Sequence, residues 1–407
     1  MLSHPKFGMD VGNIMKHLVW IWAVVWMAAC SNEARLTIVA EGLENDTLFV
    51  EYCNFEERVM ARGDRSAYQS VNDTLLFEEG RVEMVLPAED ALFVSLNSPA
   101  YRDSEQGRMF FHPAGRIELL VQPGEVLEVA LKPQQHGHLA AKISGSELNS
   151  GIARLDNQVR SVQIDMVATG FALNEALRTK SDKADSLRNR TMDIRAALHS
   201  VYAEYMKANL DSEISAYCLY QMGPRRGERY YRDLDKKAFK GLFRPVGRMM
   251  ERYVEEQATR AELKTAIAEG VDAPDFALKD PQGKSVTLAS FRGKWVVIDF
   301  WGTWCSWCIK GMPRMKQLYR ENRNSLEIIG VACGDKREQW QKAVKAMSLE
   351  WVNVIDPMDA PVEESVAARY AVEGYPTKVI VDPEGKIHKI FKGESVEFYD
   401  EIKRLME

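Results

Sequence analysis

Two cysteines separated by two residues, Cys305 and Cys308, are the residues of this 407-residue chain best suited to chemistry. They follow the apolar run Val296–Phe300 and precede a stretch with helical spacing, so the order is strand, turn, helix. At a helix start, unpaired N–H groups and the helix dipole stabilise a thiolate. The motif therefore predicts a redox-active dithiol, in which the end of the strand exposes the sulfur of Cys305.

The elements around this dithiol alternate between strands and helices from residue 270 to residue 407. A hairpin around Asp280–Gly283 precedes the central strand. Further strands are predicted at Leu326–Cys333, Trp351–Ile355, Thr377–Val381 and Lys386–Phe391, and helices at Cys308–Arg323, Arg337–Ser348, Val362–Tyr370 and Ser395–Met406. This order predicts an α/β domain whose mixed central sheet is mostly parallel and is covered by helices on both faces.

Residues 270–407 resemble the thioredoxin superfamily, in particular the membrane-tethered TlpA-like and ResA-like thiol-disulfide oxidoreductases of the bacterial envelope. The resemblance rests on three motifs: Asp299-Phe300-Trp301 before Trp304-Cys305-X-X-Cys308, Pro313 five residues after the second cysteine, and Gly374-Tyr375-Pro376-Thr377. It implies a thioredoxin-like fold with a cis peptide bond before Pro376, and packing of that proline beside the dithiol.

The resemblance implies a catalytic role for four residues. Cys305, with a lowered pKa, would attack a substrate disulfide, and Cys308 would resolve the mixed disulfide. Asp299, under the pair and with a raised pKa, would take the proton from Cys308. The alternative for Asp299 is a strand-end acid that makes only local hydrogen bonds. Pro376 would present a flat apolar edge to an extended peptide, which could pair with the backbone beside it.

Further contacts with the substrate are expected from four residues: Trp304, Trp307, Tyr375 and Thr377. No metal is expected, and no cofactor besides the redox-active disulfide. Relatives commonly have proline before the second cysteine, whereas this chain has Ser306-Trp307. Because this dipeptide influences a reduction potential that spans about -270 to about -120 mV among related proteins, reductase, oxidase and isomerase all stay open.

The first thirty residues predict a lipoprotein signal peptide. Basic residues precede Leu18–Ala29, an apolar segment of twelve residues, which is shorter than the roughly 20 residues that span a bilayer. Small residues then precede Cys30, as in a bacterial lipobox. The alternatives are a plain secretory signal and an uncleaved short anchor. Lipidation of Cys30 would anchor the protein on the periplasmic side of a membrane in the cell envelope.

Two regions separate this signal from the dithiol domain. Residues 31–144 show short alternating runs with turns between them, which predicts an all-β, sandwich-like domain. Residues 145–269 switch to helical spacing and predict a block of amphipathic helices. Both regions resemble, more weakly, the extensions of Bacteroidetes lipoprotein relatives, and that resemblance implies no activity.

The net charge and the remaining cysteines and histidines bear on possible partners, disulfide pairing and metal binding. A net charge of -6 gives no reason to expect a nucleic-acid partner. Cys333 ends an apolar run and is predicted to be a buried strand thiol, whereas pairing of Cys53 with Cys218 stays open. The histidines of the β-rich region have too few acidic or cysteine neighbours to predict a metal site: His112, His136 and His138.

The favoured function is thiol-disulfide exchange, in which the protein reduces disulfide-containing envelope proteins and is itself reduced again by a membrane thiol donor. A zinc site is disfavoured, because one Cys-X-X-Cys supplies too few ligands. A thiol peroxidase is an alternative, although Ile298 and Gly302 occupy the positions where its motif needs proline and threonine. The other alternative is a surface lipoprotein that binds a ligand or partner and carries an auxiliary thioredoxin domain.

Overall fold

The computed structural model describes residues 32–40, 42–43, 47–61, 67–102, 109–133, 139–358 and 360–407. The predicted signal peptide, with Cys30, lies outside these residues, as do His136 and His138. The chain divides into two compact units at the junction of Glu251 and Arg252. No helix among the described residues is long and apolar enough to cross a membrane.

The described part of the first unit contains two four-stranded sheets, in the orders β4-β1-β7-β8 and β3-β2-β5-β6. The strands are β1 (Ala34–Ala40), β2 (Thr47–Asn54), β3 (Ser70–Leu76), β4 (Arg81–Leu86), β5 (Leu92–Arg102), β6 (Met109–Val121), β7 (Val126–Pro133) and β8 (Leu139–Ser144). Buried side chains from both sheets, among them Ile38 and Val94, form one core. The sandwich is not wholly antiparallel, since β1 pairs in parallel with β7.

The helices of this unit are α1 (Phe55–Met60), α2 (Glu147–Arg178), α3 (Ala184–Ala208), α4 (Glu213–Met222), α5 (Pro224–Tyr231) and α6 (Arg244–Thr265), of which α6 runs past the unit boundary. Ser146 caps α2, because its hydroxyl accepts the N–H of Asn149 at 3.3 Å. The buried Asn149 amide in turn bonds the backbone N–H and C=O of Leu120, each at 2.9 Å. A second core joins Phe93 and Leu120 to the helices, so the β-rich and helical regions pack together.

The second unit contains a seven-stranded sheet in the order β10-β9-β13-β12-β11-β14-β15. Its elements are β9 (Ala277–Lys279), β10 (Ser285–Thr287), β11 (Trp295–Trp301), α7 (Ser306–Asn322), β12 (Leu326–Cys333), α8 (Arg337–Ala346), β13 (Val352–Asp356), α9 (Val366–Arg369), β14 (Thr377–Val381), β15 (Ile387–Lys392) and α10 (Val396–Met406). The predicted mixed α/β fold is confirmed, but the expectation of a mostly parallel sheet is wrong. Among the described strands of this sheet, only β11 with β12 and β12 with β13 pair in parallel, whereas the other four pairs are antiparallel.

Strand β11 lies in the middle of this sheet and contributes to both of its faces. Val296 and Phe300 pack on the face that α9 covers, whereas Val297 and Trp301 pack on the face of α7, α8 and α10. Successive side chains of a strand point to opposite faces. Asp299 therefore shares the face of Val297 and Trp301, which is also the face that carries the two cysteines.

Candidate active site

The predicted position of the dithiol at a helix start is confirmed. Cys305 is the N-cap residue of α7, and its sulfur accepts the backbone N–H of Cys308 at 3.2 Å. The two cysteines form a disulfide, with their Cα atoms 5.3 Å apart. A sulfur at this position faces the positive end of a helix of 17 residues, which stabilises the thiolate formed on reduction.

Both cysteines are buried in this oxidised form. Cys305 exposes 6% of its surface and Cys308 exposes 3%. The sequence predicted an exposed Cys305 sulfur, whereas in the disulfide form the residue as a whole is mostly buried, because both cysteines belong to the apolar cluster that contains Trp301. The neighbouring Trp304 and Trp307 are instead 56% and 64% exposed and give the dithiol an apolar rim.

The turn before the dithiol is anchored by the end of β12. Buried Asp335 accepts the backbone N–H of Thr303 at 2.9 Å and also its hydroxyl. The indole N–H of Trp304 donates to the carbonyl oxygen of Cys333 at 3.0 Å. A Cβ on Gly302 would lie 2.5 Å from this indole nitrogen, so the turn requires glycine there. Because β11 and β12 are parallel, their carboxyl ends meet at one edge and supply these contacts.

The loop before β14 approaches the dithiol turn from the other side. The peptide bond between Tyr375 and Pro376 is cis, as the resemblance predicts. The ring of Tyr375 stands perpendicular to that of Trp304, with centroids 5.1 Å apart. The carbonyl of buried Pro376 accepts the N–H of Gly393 at 2.7 Å, which ties the loop to the segment after β15. Thus two segments far apart in sequence meet at Trp304.

Thr377 differs from the expectation of a side chain that contacts the substrate. Its side chain is buried, and its hydroxyl donates to the carbonyl oxygen of Gly374 at 2.7 Å. The side chain therefore stabilises the loop from within. The expectation is wrong for the hydroxyl because a threonine at the first position of a buried strand has a backbone acceptor within reach.

Asp299 lies on the sheet face that carries the dithiol, in a buried ionic cluster that the sequence did not predict. The ammonium group of Lys378 lies 3.1 Å from a carboxylate oxygen of Asp299 and 3.2 Å from one of Glu394. Lys378 is the direct partner of Asp299 across β11 and β14, and both side chains are only 2% exposed. Burial lowers the pKa of Lys378, but the two carboxylates outweigh it and the pKa is raised overall.

Comparison with known proteins connects this geometry to a family. The AhpC/TSA family matches residues 270–390. Thiol-disulfide oxidoreductase ResA of Geobacillus thermodenitrificans is 37% identical over 145 residues, which are 35% of this chain and 79% of the relative. The chain belongs to the ResA-like thiol-disulfide oxidoreductases. ResA of Bacillus subtilis is 34% identical over 135 residues, which are 33% of this oxidoreductase and 73% of the relative.

Among solved structures, the thioredoxin domain of a thiol-disulfide oxidoreductase from Bacteroides vulgatus is similar. It is 31% identical, covers 35% of this chain and 99% of its own, and has a TM-score of 0.32. The residues that match the AhpC/TSA family include the dithiol. The chain is accordingly a thioredoxin-like thiol-disulfide oxidoreductase.

The other described cysteines of this oxidoreductase lie outside the disulfide. Cys333 is the last residue of β12 and is buried, as predicted, and burial raises the pKa of its thiol. Cys53 and Cys218, whose pairing the sequence left open, are both free and buried. Burial raises the pKa of these two thiols as well. Within the described ranges, no group of three or more His, Cys, Asp or Glu side chains is arranged to hold a metal ion.

Proposed function

We propose that this oxidoreductase reduces disulfide bonds in proteins of the bacterial cell envelope. The observation that carries the proposal is the hydrogen bond from the Cys308 N–H to the Cys305 sulfur at the N-terminus of α7. This position stabilises a thiolate and makes Cys305 the nucleophile. Cys308, one helical turn into α7, is the resolving residue.

The reaction balances as two successive exchanges. The Cys305 thiolate attacks a substrate disulfide, forms a mixed disulfide and releases one substrate thiolate. Cys308 then gives its proton to Asp299 and attacks the Cys305 sulfur, which releases the second substrate thiolate and leaves the Cys305–Cys308 disulfide. Two electrons pass to the substrate. A membrane thiol donor returns the enzyme to the dithiol form, and no other cofactor is needed.

The substrate is an extended peptide whose disulfide enters between the tryptophans and the Pro376 loop. Trp304 and Trp307 supply exposed apolar contact area, and the partly buried Tyr375 stands against Trp304. Large aromatic side chains contribute strongly to such contacts. The backbone of Tyr375 would pair with the peptide, as in strand addition to a sheet edge.

A thiol peroxidase is the second candidate, favoured by the match to the AhpC/TSA family. The structure adds an argument against it at Gly302, where the peroxidase motif needs threonine. A Cβ there would crowd the Trp304 indole at 2.5 Å and the Cys333 carbonyl at 3.0 Å. Thiol-disulfide exchange is therefore the better fit. If the protein consumed hydrogen peroxide as fast as it reduces insulin, the peroxidase would be favoured instead.

The reduction potential of the Cys305–Cys308 pair tests the direction of electron flow. We expect a value below about -200 mV, nearer to the reducing than to the oxidising end of the range for related proteins. The measurement is equilibration with glutathione and dithiothreitol buffers, followed by quantification of free thiols. Trp307→Pro, which supplies the proline common in relatives, is the matched variant for the effect of the intervening dipeptide. A potential near about -120 mV would make the protein an oxidant and contradict the proposal.

The proposed location rests on the sequence before the described residues. We expect Cys30 to be lipidated, so that the enzyme is tethered on the periplasmic side of a membrane. Cells grown with a labelled fatty acid should yield labelled wild-type protein and unlabelled Cys30→Ser. Cys53→Ser is the matched control and should keep the label, because Cys53 is a buried residue of β2. Label in Cys30→Ser equal to wild type would refute this assignment.

A further inference from the structure

The helices of the first unit form a cavity lined mainly by arginines. It is bordered by α3, the end of α4, α5 and the residue that follows α5. Its volume is about 620 Å³, which falls within the range of about 300 to 1,000 Å³ of small-molecule sites. Six of its lining residues are charged or titratable: His199, Arg225, Arg226, Glu228, Arg229 and Arg232.

The arginines of this cavity outnumber its acids. Glu228 is the one acid among the described lining residues, and the guanidinium of Arg232 lies 3.2 Å from its carboxylate. Arg225, Arg226 and Arg229 are exposed and form no ion pair with any described residue. The cavity therefore carries three guanidinium groups whose charge no carboxylate of the described chain balances.

The spacing of these arginines opposes the stability of α5. Arg229 follows Arg226 by three residues and Arg225 by four, so the three guanidinium groups lie on one side of the helix. Like charges at these spacings destabilise a helix. On α3, in contrast, Arg188 pairs with an acid at such a spacing, since it lies 2.6 Å from Asp185. An anion that contacts all three arginines of α5 would offset their repulsion.

His199 of α3 responds to the same accumulation of positive charge. Burial lowers the pKa of its imidazole, and the guanidinium groups of Arg226, Arg195 and Arg229 lower it further. Arg195 precedes His199 by one turn of α3, whereas the other two belong to α5. An anion placed between the histidine and the arginines would reverse this effect and stabilise the imidazolium ion.

We propose that this cavity binds a phosphate monoester, carried either by a soluble molecule or by a phospholipid headgroup. A guanidinium group presents parallel N–H donors that match two oxygens of a phosphate. A phosphate monoester carries a charge of about -1.5 to -2 and three acceptor oxygens, so it can engage several arginines at once, whereas a carboxylate has one charge and two oxygens. The inference concerns the unit that lacks the dithiol and goes beyond the proposed function.

The test uses two probes that carry the same chemical group. Glycerol phosphate is titrated into the full chain in a calorimeter, and phosphatidic acid is offered in phosphatidylcholine vesicles, with pure phosphatidylcholine vesicles as the reference. We expect the double variant Arg225→Gln with Arg226→Gln to bind at least tenfold more weakly, because two charge-assisted contacts are lost. Arg188→Gln is the matched control and should bind like the wild type, because Arg188 lies outside the cavity.

Three further measurements distinguish a ligand site from a solvated basic surface. Glu228→Gln should bind about two- to fivefold more tightly, since it removes the opposing charge. The pKa of His199, followed by NMR and assigned with His199→Gln, should rise when the probe is added. The thermal midpoint of the double arginine variant should equal or exceed that of the wild type, because repulsion within α5 is reduced. Its weaker binding would then not reflect a loss of folding.

The two probes also separate the possible sources of the phosphate. Binding to phosphatidic acid vesicles alone, lost in the double variant, would assign the site to a lipid headgroup, and binding of glycerol phosphate without a gain from phosphatidic acid would assign it to a soluble ester. Absence of binding to both probes, or equal binding by the wild type and the double variant, would overturn the inference. Tighter binding of polyglutamate than of either probe would overturn it in favour of an acidic peptide.

Discussion

Replacing Cys305 by serine is expected to abolish insulin reduction, with a loss of about a thousandfold or more. A serine hydroxyl cannot form the mixed disulfide, and at neutral pH it is not ionised by its position at a helix start. The measurement is the precipitation of reduced insulin in the presence of dithiothreitol. Cys333→Ser is the matched control, because Cys333 is a free, buried thiol of the same unit. Equal activity in wild type and Cys305→Ser would refute the assigned nucleophile.

Cys308→Ser has a different expected outcome, because it removes the resolving sulfur and keeps the nucleophile. This variant should attack a substrate once and then remain covalently attached to it. Envelope extracts treated with Cys308→Ser should therefore yield mixed disulfides that dithiothreitol releases, and the double variant with Cys305→Ser should yield none. Recovery of no covalent partner would favour the alternative of a binding lipoprotein whose thioredoxin domain is auxiliary.

The elements that the sequence predicted well are those whose residues are almost all buried. Strands β12 and β14 begin and end at the predicted residues, since each is an apolar run bounded by a turn or loop. Two strands of the β-rich region have weaker sequence patterns. Strand β3 is polar and mostly exposed, and β8 contains two alanines and a lysine. Their place in the sheets depends on pairing with β2 and β7, which no local pattern reports.

The candidate site shows the same division between local and long-range information. The dithiol and the cis bond before Pro376 follow from short motifs. Lys378, which lies 79 residues from Asp299 in sequence, was missed because only strand pairing brings the two together. A single lysine inside the strand Thr377–Val381 was the available signal, since an unpaired charge is costly at such a position.

The burial of Cys305 could also not be predicted from the sequence, for a related reason. A strand-to-helix turn predicts where the sulfur lies along the chain, but its exposure depends on the cluster beneath it and on the oxidation state. The same holds for Thr377, whose hydroxyl bonds the carbonyl of Gly374. In both cases the motif predicted the position of the residue, and the surrounding contacts decided which of its atoms a substrate can reach.

Replacing Asp299 by asparagine is expected to slow the second, resolving exchange by about a hundredfold to ten-thousandfold, because an amide cannot take the proton from Cys308. Attack by Cys305 should keep its rate, so the mixed disulfide should accumulate. Two-phase release of thiolate from dithiobisnitrobenzoate measures both steps, and mass spectrometry of the quenched reaction shows the intermediate. An unchanged second phase would leave Asp299 as a strand-end acid with only local hydrogen bonds.

Asp356→Asn is the matched control, because Asp356 is also a buried aspartate of this sheet. Its carboxylate accepts the N–H groups of Val366 and Ala367 at 3.1 and 2.9 Å at the start of α9. Loss of that charge should lower the free energy of unfolding and leave the second phase unchanged. Equal slowing in both variants would instead mean that any buried acid of the sheet matters only through stability.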